Sequence, residues 1–102
     1  MENKAVIIDA TRSPIGIKNG EMVGIRPDDL AAQVVKGLME RNNTVTSDQV
    51  EDLVMGCAFP EGPQGMLIGR SVVALAGLPQ TVPAKVVNRF CGSAMDALHQ
   101  VS

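Results

Sequence analysis

Two cysteines, one histidine and a few isolated arginines carry most of the chemistry this chain can offer. Cys91 is foremost among them. It falls between an apolar stretch, residues 82–88, and a helical pattern that begins near Gly92. A thiol at a helix N-terminus meets unpaired N–H groups and the positive end of the helix dipole. Both favour the thiolate, which is the nucleophilic form. Gly92 and Ser93 put little bulk beside it, so a carbonyl carbon could approach. The backbone N–H groups of such a turn can also hold an oxyanion. The other reading is a small packed residue, since free cysteine is among the most buried residue types.

A thiolate enzyme usually needs a base. The only histidine is His99, eight residues beyond Cys91. On one helix that spacing is a rise of about 12 Å. No side-chain hydrogen bond spans it, so His99 reads as a polar residue on a helix surface. If Cys91 is a nucleophile, its base lies outside these residues. Cys57 also follows an apolar stretch, but no helix begins directly behind it, and it reads as packing. The two cysteines lack metal or redox spacing. Residues 56–69 are glycine-rich without the Gly-Lys-Ser/Thr ending of a phosphate loop, and no Gly-x-Gly-x-x-Gly follows a strand. A nucleotide site is therefore unsupported. Arg12 and Arg70 could bind anions, although single arginines mostly sit on solvated faces. Met39, Met55, Met66 and Met95 fall on apolar stretches and read as core.

Alternating strands and helices must position these groups. Residues 4–10 predict a first strand, because Ala5-Val6-Ile7-Ile8 is continuously apolar, as in a strand buried on both faces. Residues 11–24 predict a loop, punctuated by Ser13-Pro14, Gly16, Gly20 and Gly24. Pro27 and Asp28 suit the opening of a helix. Its apolar stripe runs through Leu30, Val34 and Leu38 beside Ala31, Val35 and Met39, and Arg41-Asn42-Asn43 closes it. Thr46-Ser47-Asp48-Gln49 fits a capping box ahead of a short helical turn. Residues 53–58 predict the second strand and 59–65 a loop. Residues 66–76 predict a largely buried helix ended by Gly77, with Pro79 just beyond. Residues 82–88 predict the third strand, with Pro83 near its start. Residues 93–102 restart a helical period through Ala94, Met95, Leu98 and Val101. The order β-α-β-α-β-α implies the α/β class with a parallel sheet. It puts Cys91 at a strand's carboxyl end, where ligands bind in such sheets.

Composition narrows the function classes. The chain has 102 residues, 45% apolar and 20% charged, which excludes disorder and collagen-like repeats. Its net charge is -2 and aromatics make up 2%, with no Trp or Tyr. Nothing here neutralises phosphates or stacks on bases, so no nucleic-acid partner is expected. The apolar runs are too short for a membrane span. The run at residues 5–8 is too short for a signal-peptide core, and Asp9 ends it. A cytoplasmic, thiol-reduced setting is the expectation. The length suits one small domain, yet the final helical pattern looks cut off.

Four segments resemble one known family. Val87-Asn88-Arg89-Phe90-Cys91-Gly92-Ser93-Ala94-Met95-Asp96-Ala97-Leu98 resembles the nucleophile segment of thiolases. Ala10-Thr11-Arg12-Ser13-Pro14-Ile15-Gly16 resembles the family's turn after its first strand. Val50-Glu51-Asp52-Leu53-Val54-Met55-Gly56-Cys57 resembles its second-strand segment. Gly69-Arg70 through Ala76-Gly77-Leu78-Pro79 resembles the helix leading to the third strand. The likeness runs over essentially the whole chain, and Asn88 to Ser93 is closest to the degradative 3-ketoacyl-CoA thiolases of fatty-acid oxidation.

The resemblance implies a β-α-β-α-β-α portion of an αβαβα fold, with residues 1–102 a partial N-terminal domain rather than a complete one. It implies that Cys91 is the catalytic nucleophile and carries an acyl-thioester intermediate. The implied substrate is a 3-ketoacyl-CoA, with coenzyme A as co-substrate and no metal or redox cofactor. The family's full-length proteins are several times longer and form homodimers or homotetramers. They add a Gly-His-Pro base motif and a second cysteine in Cys-x-Gly-Gly-Gly, neither of which occurs in this chain. The isolated chain is therefore expected to be inactive. Two alternatives stay open. One is a segment of a biosynthetic acetoacetyl-CoA thiolase or a 3-ketoacyl synthase. The other is a non-enzymatic α/β module in which Cys91 is merely packed.

Overall fold

The computed structural model describes residues 3–102. Its elements are α1 (Pro27–Arg41), β1 (Leu53–Gly56), α2 (Ile68–Leu75), β2 (Ala84–Val87) and α3 (Ser93–Val101). Short 3-10 turns lie at Ser47–Gln49 and Gly62–Gln64. The class is α/β, but the expected first strand does not form. Residues 4–10 are irregular, and Ile7 is 72% exposed. A strand needs a neighbour to take its alternating N–H and C=O groups. Among the described residues the one ladder is β1 with β2, and nothing pairs with residues 4–10.

That segment is instead fixed at one end. Arg41 forks onto Asp9, its Nη2 at 2.7 Å from Oδ1 and its Nε at 2.9 Å from Oδ2. Asn42 Nδ2 adds a bond to Asp9 Oδ2 at 2.6 Å. Ala10 contributes at both ends: its N–H donates to Asp9 and its carbonyl accepts from Arg41. These donors, the Arg41 guanidinium first, lower the Asp9 carboxyl to a pKa of about 2.

Helix α1 begins as its residues dictate, with Pro27 in the first turn beside Asp28 and Asp29. Asp28 is buried and takes both the Nε and Nη2 of Arg26 at 3.1 Å. That pair holds its carboxyl below the usual range. Between α1 and β1, Gln49 Oε1 accepts the Thr46 N–H at 2.9 Å, the side-chain return that a capping box requires.

The two strands run parallel, Leu53 opposite Ala84 and Gly56 opposite Val87. The ladder extends one bond at each end, from Leu53 N–H to the Pro83 carbonyl and from Cys57 N–H to the Val87 carbonyl. Pro83 thus stands just before β2, giving its carbonyl where its missing N–H costs nothing. Alternation along the strands sorts the two faces. Leu53, Met55 and Val86 meet Cys57, Ile68 and Val72, with Ala31 and Val35 of α1 joining. Val73, Leu78 and Val82 form an adjoining cluster with Met39 and Ala84. Val72 and Val73 are fully buried, each contributing roughly 2 kcal/mol from apolar area.

Helix α2 is shorter and more one-sided than its sequence suggests. Met66 has φ 56°, a left-handed conformation outside any α-helix, and is almost wholly exposed. The buried face is Ile68, Gly69, Val72 and Val73, while Leu75 on the other side is half-exposed. Its C-terminus is a Schellman motif: Gly77 at φ 76° donates to the Ala74 carbonyl, and Leu78 donates to the Val73 carbonyl. Helix α3 packs close over β1 because Gly56 has no side chain. A Cβ there would lie 2.5 Å from the Ala94 nitrogen.

Candidate active site

Residues 88–92 join β2 to α3, and their conformation is set by two side chains. Asn88 reaches in two directions. Its Nδ2 donates to the Ala58 carbonyl at 3.2 Å, tying the carboxyl end of β2 to that of β1. Its Oδ1 accepts the Phe90 N–H at 2.9 Å, the short local bond that draws Asn into turns. Ser93 closes the turn from the other side. It is 4% exposed, and its Oγ accepts the Arg89 N–H at 2.8 Å while donating to the Phe90 carbonyl at 2.7 Å. Two backbone bonds tighten the same loop, Gly92 to Arg89 and Ser93 to Phe90.

The residue these bonds hold is Phe90, at φ 48°. For a bulky residue the left-handed region is a strained choice, maintained only where the surroundings over-determine it. Phe90 packs little of its side chain, the residue being 69% exposed. The polar contacts on its N–H and carbonyl therefore set its backbone. Cys91 follows directly, exposed, one residue before the N-cap Gly92 of α3. No described residue accepts a hydrogen bond from the Cys91 N–H. A nucleophile at this point is open to a substrate approaching from solvent, with its own backbone N–H at hand for a developing oxyanion.

The other sequence candidates sit elsewhere. His99 is exposed on α3 and makes no hydrogen bond to Cys91 among the described residues. Cys57 is buried in the cluster under α2, and its Sγ lies 3.7 Å from Gln64 Nε2. Arg70 is occupied by carbonyls, Val82 at 2.7 Å and Gln80 at 3.3 Å, and so braces the α2–β2 connection rather than presenting an anion site. Arg12 is exposed, and among the described residues it bonds the Ser13 carbonyl. Met39 and Met55 pack against the core as expected. Met66 and Met95 do not; both are exposed, and Met66 has a left-handed backbone.

Asn88 and Ser93 are the site residues that sequence reasoning missed as actors. A signal existed: Asn after a strand and Ser beside Gly are residues that turn chemistry favours. Which groups they bond depends on the Ala58 carbonyl across the sheet and on a positive φ that no local pattern prescribes.

Comparison with known proteins gives this turn its context. The family model described as thiolase, N-terminal domain, matches residues 5–102. A 3-ketoacyl-CoA thiolase of Saccharophagus degradans is 46% identical over 92% of this chain and 24% of its own length. A beta-ketoadipyl-CoA thiolase of Acinetobacter baylyi is 46% identical over 92% of the chain and 23% of its own length. A 3-ketoacyl-CoA thiolase of Bacillus subtilis is 44% identical over 93% and 24%. The chain spans about a quarter of the length of the curated relatives it matches. With a match over nearly every residue, including the turn that presents Cys91, the chain belongs to the thiolase N-terminal domain family.

Proposed function

We propose that this chain carries the nucleophile of a 3-ketoacyl-CoA thiolase acting in fatty-acid β-oxidation. The Cys91 thiolate attacks the 3-keto carbon, and the bond between C2 and C3 breaks. Acetyl-CoA leaves once its C2 carbanion has taken a proton. The acyl group remains on Cys91 as a thioester until the thiolate of a second coenzyme A attacks it and restores the Cys91 thiolate. One hard carbon–carbon cleavage is thereby divided into two easier steps. The Cys91 N–H is the proposed donor to the oxyanion of each tetrahedral intermediate. The base and the proton donor come from residues beyond these 102, because His99 lies too far along α3 to serve. No metal or redox cofactor enters the scheme.

The single observation that carries this reading is the exposed Cys91 on a braced strand-to-helix turn, in a chain of thiolase sequence. Relatives named for 3-ketoacyl-CoA and for beta-ketoadipyl-CoA match equally well. What the two names share is a 3-keto acyl thioester, and that is the group Cys91 is proposed to attack.

The test is a mass-spectrometric search for the acyl-enzyme in the full-length protein. Acetoacetyl-CoA is expected to leave an acetyl group on the peptide containing Cys91. Cys91→Ala is expected to lower turnover by about a thousandfold or more. An adduct on another residue, or turnover surviving Cys91→Ala, overturns the reading. The 102-residue chain by itself is expected to cleave no acetoacetyl-CoA, and cleavage would show that the missing base is not needed.

A further inference from the structure

We infer that Ser93 and Asn88 are positioning residues for the acylation of Cys91, acting by holding Phe90 in its left-handed conformation. This inference rests on the thiolase reading given above and adds to it. Phe90 is the residue that turns the chain immediately before the nucleophile. A bulky side chain at φ 48° does not choose that conformation unaided. Phe90 is too exposed to fix it by packing. What remains are the polar contacts: the two backbone bonds of the loop and, from side chains, Asn88 Oδ1 on the Phe90 N–H and the Ser93 hydroxyl on the Phe90 carbonyl and the Arg89 N–H.

Ser93 is placed for such a task and for little else. It is buried at the first residue of α3, where its hydroxyl has no access to a substrate. Its Oγ both donates and accepts, so removing it takes the partner from the part-buried Arg89 N–H and one of two donors from the Phe90 carbonyl, which keeps the Ser93 N–H. Asn88 holds the other side and fastens the turn to the end of β1 through Ala58. If both relax, Phe90 can return to the ordinary half of backbone space. That rotation swings Cys91 and its N–H off the line of attack. Misplacement by about 1 Å is enough to cost a large factor in rate.

A double-mutant cycle in the full-length protein tests this. The readout is single-turnover acylation of Cys91 by acetoacetyl-CoA, with KM and melting temperature measured alongside. Ser93→Ala is expected to slow acylation about tenfold or more while KM changes by less than about twofold. Phe90→Gly supplies a residue that adopts positive φ freely. In the Phe90→Gly background, removing the Ser93 hydroxyl is expected to cost clearly less than in the wild type, giving a non-additive cycle. Asn88→Ala is the second arm, because Asn88 is exposed and its loss leaves the buried core intact. It is expected to slow acylation with KM held, and Asn88→Asp, which keeps an acceptor for the Phe90 N–H, to recover part of the loss. Acylation unchanged in both Ser93→Ala and Asn88→Ala overturns the inference. So does a strictly additive cycle with Phe90→Gly, or a fall in rate that only follows a fall in melting temperature. If the wild-type protein forms no acyl group on Cys91, the thiolase reading itself fails; wild-type acylation with unaffected variants refutes the positioning role alone.

Discussion

Ile7 and Val73 are both β-branched aliphatic residues in apolar runs, yet Ile7 is 72% exposed and Val73 is 0% exposed. The run around Ile7 has an apolar sequence and no partner strand among the described residues. The run around Val73 lies on α2, whose buried face meets Leu78 and Val82 in the same stretch of chain. The difference lies in where the complementary surface is. An amphipathic helix brings its own backbone bonds and needs only a surface to cover. A strand buried on both faces needs hydrogen-bonding neighbours as well. Apolar character alone separates neither case from the other.

The largest expected effect sharpens the ordered side of this contrast. Gly56→Val would place a branched side chain where a single Cβ already lies 2.5 Å from the Ala94 nitrogen. Backbone cannot yield as a flexible side chain can, and a loss of about 3 kcal/mol or more is expected in urea denaturation. A wild-type midpoint would mean that α3 is not seated on β1.

Truncating one residue in each region tests the contrast directly. Val73→Ala is expected to cost about 2 kcal/mol through the cavity it leaves. Ile7→Ala in the 102-residue chain is expected to stay within about 0.5 kcal/mol, as for an exposed site. Equal losses would break the comparison, since Ile7 would then be packed in solution.

The smallest effect concerns the Asp9 clamp, and its sign follows from a lowered carboxyl pKa. The folded value is about 2 against an ordinary 3.8. The contribution of the clamp is complete above the ordinary value and is lost as pH falls through about 2. In an NMR titration the Ala10 amide, which donates to Asp9 Oδ1 at 2.8 Å, is expected to report a midpoint near 2. A midpoint at the ordinary carboxylate value would mean that Arg41 and Asn42 do not hold Asp9.

Much of this architecture was legible from sequence wherever the controlling interactions are local. Helix α1 begins at Pro27 and α3 at Ser93, as proline placement and apolar periodicity imply. Gly77 ends α2 because a left-handed cap needs a glycine there. Strand β2 is Ala84–Val87, shorter at both ends than the apolar stretch 82–88 implies; Pro83, with no N–H to give, stands just before it. The start of α2 is not legible in the sequence, because nothing about Met66 announces a left-handed backbone. At the site, the position of Cys91 was readable from strand, turn and helix order. The bracing of its turn was not, since it depends on a carbonyl thirty residues away, at Ala58. The first strand is expected yet does not form, for a related reason: its apolar pattern is genuine, but a pattern cannot state that a pairing strand is at hand.

The Asp9 clamp has a consequence for how that unpaired run can ever pair. Side chains along a strand alternate between faces, so a slip of one residue turns every one of them over. With Asp9 held by Arg41 and Asn42, the run of Ala5, Val6, Ile7 and Ile8 is measured from a fixed end. A strand held on the same body as α1 would meet it in a defined register, whereas a free strand could still slide. A surface ion pair, slight as a source of stability, thus sets where that run ends relative to α1.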